Sequence, residues 1–229
     1  MSSLQNVLFV APVLLFSVIA HEYAHGYAAL RQGDNTALML GRLTWNPLKH
    51  IDPFLTIIMP VVLYYTTGIA LGGAKPVPVN PRNYRNFRRG DIIVSLAGVA
   101  ANLVIALLCT VLIAVFGLLA RTASALGPTV GILQVMMIWG VTINLGLIAF
   151  NLIPIPPLDG SHVMKHLLPP AWSLRYQEIS RYGFIILILL LSFGGRLLDL
   201  WMRPAMILRM GLLTSVGSFI HPSAEQWFQ

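Results

Sequence analysis

Charge is what this 229-residue chain has least of. Only 10% of it is Asp, Glu, Lys or Arg, split as eight acidic and fifteen basic residues. A soluble domain carries about a quarter charged residues. With 56% hydrophobic residues and a mean hydropathy of +0.75, the composition excludes a soluble globular domain and describes an integral membrane protein. Cysteine is nearly absent too. The single Cys109 excludes an intrachain disulfide and sits in an apolar run, where it is expected to act as a small buried side chain. The net charge of +7 does not point to nucleic acid, because the basic residues fall in short segments between apolar runs, as cytoplasmic loops do. There is no internal repeat and no low-complexity tract, and the length suits one compact multi-span domain over residues 1–229, with a core at 5–165 and accessory C-terminal helices at 166–229.

The first apolar run, residues 7–20, resembles a signal-peptide core. It lacks a basic segment in front and leads into His21-Glu22-Tyr23-Ala24-His25 instead of a small-residue cleavage site, so a retained spanning helix over 5–29 is expected. In residues 31–52, Gly33-Asp34 marks a turn, and Thr36 to Thr44 has enough β character to suggest a small strand or hairpin. Residues 53–71 are apolar but broken by Pro60, and either cross the bilayer or dip in and return. The loop 72–91 holds Lys75-Pro76-Val77-Pro78-Val79-Asn80-Pro81, whose prolines forbid a helix, followed by Arg82, Arg85, Arg88 and Arg89. Long apolar helices are expected over 92–119 and 130–150, a proline-rich break over 151–160, and a further span over 182–195. Residues 204–220 suit a last span or an interfacial helix. The expected fold is an all-α polytopic membrane protein: a three-helix core, extra C-terminal helices, and small β-strand or re-entrant elements between the first two core helices.

Chemistry concentrates at the end of the first run. On a helix, positions i and i+4 share a face, so His21 and His25 can offer imidazole nitrogens to one ion. Glu22 points elsewhere but can reach a water beside that ion, the general-base arrangement of zinc hydrolases. With six His and three Glu in the chain, composition alone produces this pattern only about a few times in a thousand such sequences. Ionisable groups at the end of a lipid-facing segment are also costly to bury, which favours a functional reading.

Catalytic zinc takes three protein ligands, and no Glu lies between Glu22 and Glu178. Asp34 and Asp52 fall in polar loops, Asp91 reads as the cap of a helix starting at Ile92, and Asp199 is expected to mark a span end. Asp159 follows a span directly, in a proline-rich break of the kind tolerated where backbone lines a cavity. Its competing reading is a helix N-cap. Asn102 and Asn144, inside apolar helices, are expected to join spans. His50, His162, His166 and His221 fall near interfaces and read as unliganded surface histidines.

Three segments carry a resemblance: His21-Glu22-Tyr23-Ala24-His25, the helix start from Ala97-Gly98 to Asn102, and Asn151 through Pro154 to Leu158-Asp159-Gly160. Together they resemble the three-span core of the site-2 proteases, intramembrane zinc metalloproteases, and cover about half the chain. The loop Gly72-Gly73-Ala74-Lys75-Pro76-Val77-Pro78 looks like the compact subgroup without a PDZ domain. Val99 stands where many members have proline, and Ser161 where a second glycine is common. The resemblance implies one catalytic zinc on His21, His25 and Asp159, with Glu22 activating water and Asn151 holding substrate or the developing oxyanion. It implies an endopeptidase acting on a transmembrane protein substrate within the lipid bilayer of a prokaryotic cell membrane. No nucleic-acid partner is expected, and the sequence names no oligomeric state.

Asp159 must meet the two histidines at one depth. That requires residues 53–71 to re-enter rather than cross, and places the basic loops and the active site toward the cytoplasmic side. The segments around Leu38 to Thr44 and Val77 to Val79 are expected to hold an unwound substrate by strand addition. The rivals are a zinc or cation transporter, which should show polar groups along several spans, and a catalytically silent scaffold, against which the intact Glu22 argues.

Overall fold

The computed structural model describes residues 3–58, 65 and 73–227. Among the described residues its α-helical segments, in chain order, include α1 (Ser3–Gln32), α2 (Thr36–Met39), α3 (Phe87–Thr122), α4 (Gly127–Asn151), α5 (Asp159–Leu167), α6 (Pro170–Ser180), α7 (Gly183–Phe193) and α8 (Gly195–Ser215). Among the described residues, three segments are long and apolar enough to cross a membrane: Leu8–Gln32, Phe87–Thr122 and Gly127–Asn151. A fourth arises if α6 and α7, bent by 77°, are one broken span. At 36 residues, α3 is about 54 Å long, well beyond about 30 Å of hydrocarbon. Its end carrying Arg88 and Arg89 can therefore extend past the apolar layer.

No strand occurs among the described residues, which corrects the expected β element at 36–44. Residues 36–39 form a helical turn instead. Asp34 accepts hydrogen bonds from the Thr36 N–H (3.1 Å) and hydroxyl (2.5 Å), and so sets the entry to that turn. Ala37, Leu38 and Met39 are good helix formers, and the Met39 and Leu40 amides close onto the Asn35 and Thr36 carbonyls. The proline-rich stretch 73–80 forms neither helix nor strand; it is a single strap held by hydrogen bonds to side chains and loops rather than by a ladder. The choice between crossing and re-entry for 53–71 falls largely outside the described residues. Pro53–Ile58 forms a wide helical turn.

The chain divides into two compact units, and α1, α3, α4 and α8 each contribute to both. The first unit comprises Met1–Ser17, Asn102–Ala149 and Arg203–Gln229. Its core joins Ala106, Cys109 and Ile113 of α3 with Ile138, Val141 and Leu145 of α4, and with Leu213 and Val216. The 204–220 segment therefore contributes to a core instead of lying wholly exposed. Buried amides tie this unit together. Asn144 donates to the Ser17 hydroxyl and the Gly140 carbonyl, both at 2.8 Å, joining α1 to α4 as expected. Gln134 donates to the Ile113 and Phe219 carbonyls and accepts from the His221 N–H. Asn102 is fully buried, and neither of its amide atoms is hydrogen-bonded among the described residues.

The second unit comprises Val18–Ala101 and Phe150–Met202, and holds every residue of the proposed centre. Ala29, Tyr84 and Val94 pack together, bringing the end of α1 against the start of α3. Ile153 and Leu158, at either end of the proline-rich turn, pack on Leu187 and Leu191 of α7. The Tyr176 hydroxyl donates to the Pro154 carbonyl at 3.0 Å. The helices beyond residue 165 thus brace the turn that delivers Asp159.

Candidate metal centre

One turn of α1 separates His21 from His25, and their Nε2 atoms stand 3.0 Å apart. Asp159, the first residue of α5, places Oδ2 3.2 Å from His21 Nε2 and 3.3 Å from His25 Nε2. It is not the N-cap of its helix, a position held by Leu158. The cap reading of Asp159 therefore fails, and its carboxylate faces the imidazoles.

The triangle fits a zinc ion. Tetrahedral bonds of about 2.0–2.1 Å put ligand atoms about 3.3 Å apart, and the three observed edges run from 3.0 to 3.3 Å. The Nδ1–H of His25 donates to the Val94 carbonyl at 2.7 Å, leaving the Nε2 lone pair directed at the centre. Asp159 Oδ2 is a buried oxygen with no hydrogen-bond partner among the described residues. One proton could serve one edge of this triangle, whereas a central cation serves all three corners. Among the described residues, these three are the one group of His, Cys, Asp or Glu whose ligand atoms meet closely enough to hold a metal.

Gly98 of α3 closes the centre from another side. A Cβ there would lie 2.5 Å from His21 Cε1 and 2.6 Å from the Nε2 atoms of both His21 and His25. The residue was visible in the Ala97-Gly98 motif, but its contact with both ligands depends on α3 crossing α1. Glu22 accepts a hydrogen bond from the Val77 N–H at 2.8 Å. Asn151 is the last residue of α4, just ahead of the proline-rich turn.

Asp91 departs from its expected role. Helix α3 starts at Phe87, so Asp91 lies inside it and cannot be its N-cap. Its buried carboxylate receives Lys165 Nζ and His166 Nε2, each at 2.7 Å from Oδ2, and has His162 Nδ1 3.4 Å from Oδ1. His162 and His166 are therefore not free surface histidines. His50 is not a surface residue either: it is buried, and its Nε2 meets the Thr44 carbonyl at 2.9 Å. The Asp91 cluster ties α5 to α3 a few residues beyond Asp159, and Arg88 adds a bond to the His166 carbonyl at 2.8 Å. His162, Lys165 and His166 stand at i, i+3 and i+4, one helical face, which is the sequence signal that a common partner awaited them.

Asp34, read as a solvated or turn-forming loop residue, is fully buried. It accepts from Thr36, from the Asn80 N–H at 2.7 Å and from the Asn83 side-chain amide at 2.8 Å. Burial would raise its pKa, but these donors together hold it below the ordinary carboxylate value.

A helix long and apolar enough to span a membrane carries both histidines, and the turn after a second such helix brings a carboxylate to them, the ligand set of a metallohydrolase type of centre. The family model "Peptidase family M50" matches residues 9–137 and 120–191, and the chain belongs to this family, the site-2 zinc metalloproteases. Over 177 residues it is 38% identical to "Putative zinc metalloprotease YwhC" of Bacillus subtilis, covering 77% of each chain. It is 34% identical to "Putative zinc metalloprotease Rip2" of Mycolicibacterium smegmatis and 30% identical to the Mycobacterium tuberculosis protein of that name. In both comparisons 77% of this chain is matched, against 64% and 63% of the mycobacterial ones. No solved structure matches.

Proposed function

We propose that the protein is an intramembrane endopeptidase that hydrolyses a peptide bond in or near the transmembrane segment of a membrane-protein substrate. The observation that carries this reading is the meeting of His21 and His25, on a helix apolar enough to span a bilayer, with Asp159 of α5, their ligand atoms within about 3 Å of one another. His21, His25 and Asp159 would hold a zinc ion, which would supply Lewis acidity toward the scissile carbonyl and the attacking water. Glu22 takes the proton from that water and passes it to the leaving nitrogen. Asn151 donates to the carbonyl oxygen as it gains charge. The bracing of the 152–158 turn by α7 keeps Asp159 in place through the cycle.

The basic residues between α1 and α3 favour a site opening toward the cytoplasmic side. Neither segment considered for strand addition is a strand among the described residues. Glu22→Gln should keep the metal and lose cleavage of a transmembrane substrate reconstituted in the same vesicles. Retained cleavage in that variant would remove Glu22 from the role of base. A transporter would instead move zinc across the vesicle wall, a flux this reading expects to be absent.

A further inference from the structure

The Pro76-Val77-Pro78 sequence leaves Val77 as the one residue of the three with a backbone N–H, and that N–H donates to Glu22 Oε2 at 2.8 Å. The contact is held on both sides. Upstream, Arg42 Nη2 donates to the Lys75 and Pro76 carbonyls at 3.0 and 3.3 Å, and the Lys75 N–H donates to the His50 carbonyl at 2.8 Å. Downstream, the Asn80 N–H is anchored on the buried Asp34 at 2.7 Å. Against α1, the Val77 side chain sits where Gly26 leaves room, since a Cβ at position 26 would lie 2.8 Å from Val77 Cγ1. Anchors from four separate positions therefore converge on one peptide N–H.

We infer that the Val77 N–H is a positioning donor for Glu22. It fixes one carboxylate oxygen so that the other faces the centre, which makes the 75–80 strap part of the peptidase machinery. The two flanking prolines remove competing donors and stiffen the segment, so the strap presents one donor at one place. This rests on the assignment of Glu22 as base, while the hydrogen bond itself can be tested without cleavage. The donor acts on orientation, so it should govern turnover more than substrate binding.

The experiment replaces the Val77 amide by an ester, incorporating 2-hydroxyisovalerate into the full chain. This keeps the side chain and deletes only the N–H. A matched ester at Ala125 (lactate), exposed in the turn between α3 and α4, is the control. The Val77 ester should lower kcat about tenfold or more with KM and bound zinc unchanged, and the Ala125 ester should leave all three unchanged. Hydrogen exchange at the Val77 amide gives a second readout independent of activity: it should quicken about tenfold or more in Glu22→Ala relative to the parent. Parental kcat in the Val77 ester, a change confined to KM, a loss of zinc, or an equal effect of both esters would overturn the inference. A rise in kcat would mark the bond as a brake and overturn it as well. Unchanged exchange in Glu22→Ala would deny the hydrogen bond. Proteolysis retained by Glu22→Gln would instead defeat the assignment of the base, with the exchange result unaffected.

Discussion

Replacing Gly98 by alanine probes the centre without touching any proposed ligand. The added Cβ would stand 2.5–2.6 Å from atoms of both imidazoles, where ordinary contact begins near 3.4 Å, an overlap of about 0.8 Å. What it meets is the outer end of two side chains and not backbone. Without metal, the rings can rotate aside, at a cost limited to the His25–Val94 hydrogen bond and some packing, about 1–2 kcal/mol. With metal, the same rings are pinned at the nitrogens the methyl group crowds, and moving them gives up ligand geometry. Zinc affinity should therefore fall at least about a hundredfold, equivalent to about 2.7 kcal/mol. The metal-free protein should lose only that smaller amount, a fall in melting temperature of about 2–8 °C. Chelator competition measures the first quantity, and unfolding of chelator-treated protein in detergent measures the second. Gly98→Ala protein that holds zinc with parental affinity would refute the close approach of α3 to the ligands.

Asp91→Ala should destabilise the second unit by about 3 kcal/mol, because it leaves Lys165 and His166 facing a largely buried space without their carboxylate; unfolding in detergent reads the loss. The same variant should weaken zinc binding, because α5 carries Asp159, whereas a cluster of purely local effect would leave affinity unchanged. Asp34 has a folded-state pKa below the ordinary carboxylate value near 4. Its contribution to stability is then fully present above about pH 4 and is lost as pH falls through the lowered pKa. A melting profile taken across acid pH should be flatter in Asp34→Asn than in the parent, and two parallel profiles would contradict this.

The long apolar runs were legible because hydrophobicity over twenty residues needs no partner to be read. The helices expected at 92–119 and 130–150 run slightly longer, over Phe87–Thr122 and Gly127–Asn151. The candidate metal set stands out in the sequence for a related reason. His21 and His25 share a helical face by spacing alone, and Asp159 was marked by its proline-rich surroundings and by the family resemblance. Short elements were not legible. The stretch Thr36 to Thr44 suggests a small strand, yet Thr36–Met39 forms a helical turn, with Asp34 as the hydrogen-bond acceptor at its entry. The roles of Asp91, Gly98 and Val77 depend on contacts between residues 55 to 77 positions apart. Periodicity along one segment carries no information at that range.

The central claim is that His21, His25 and Asp159 together hold one catalytic zinc. It is tested most directly by measuring metal content and zinc-edge absorption on the purified protein and on Asp159→Ala. The account predicts about one zinc per chain with two imidazole nitrogens and a carboxylate oxygen in its coordination, and a metal-depleted variant after brief dialysis against chelator. A parent protein without zinc, or an Asp159→Ala protein that keeps it with unchanged coordination, would contradict it.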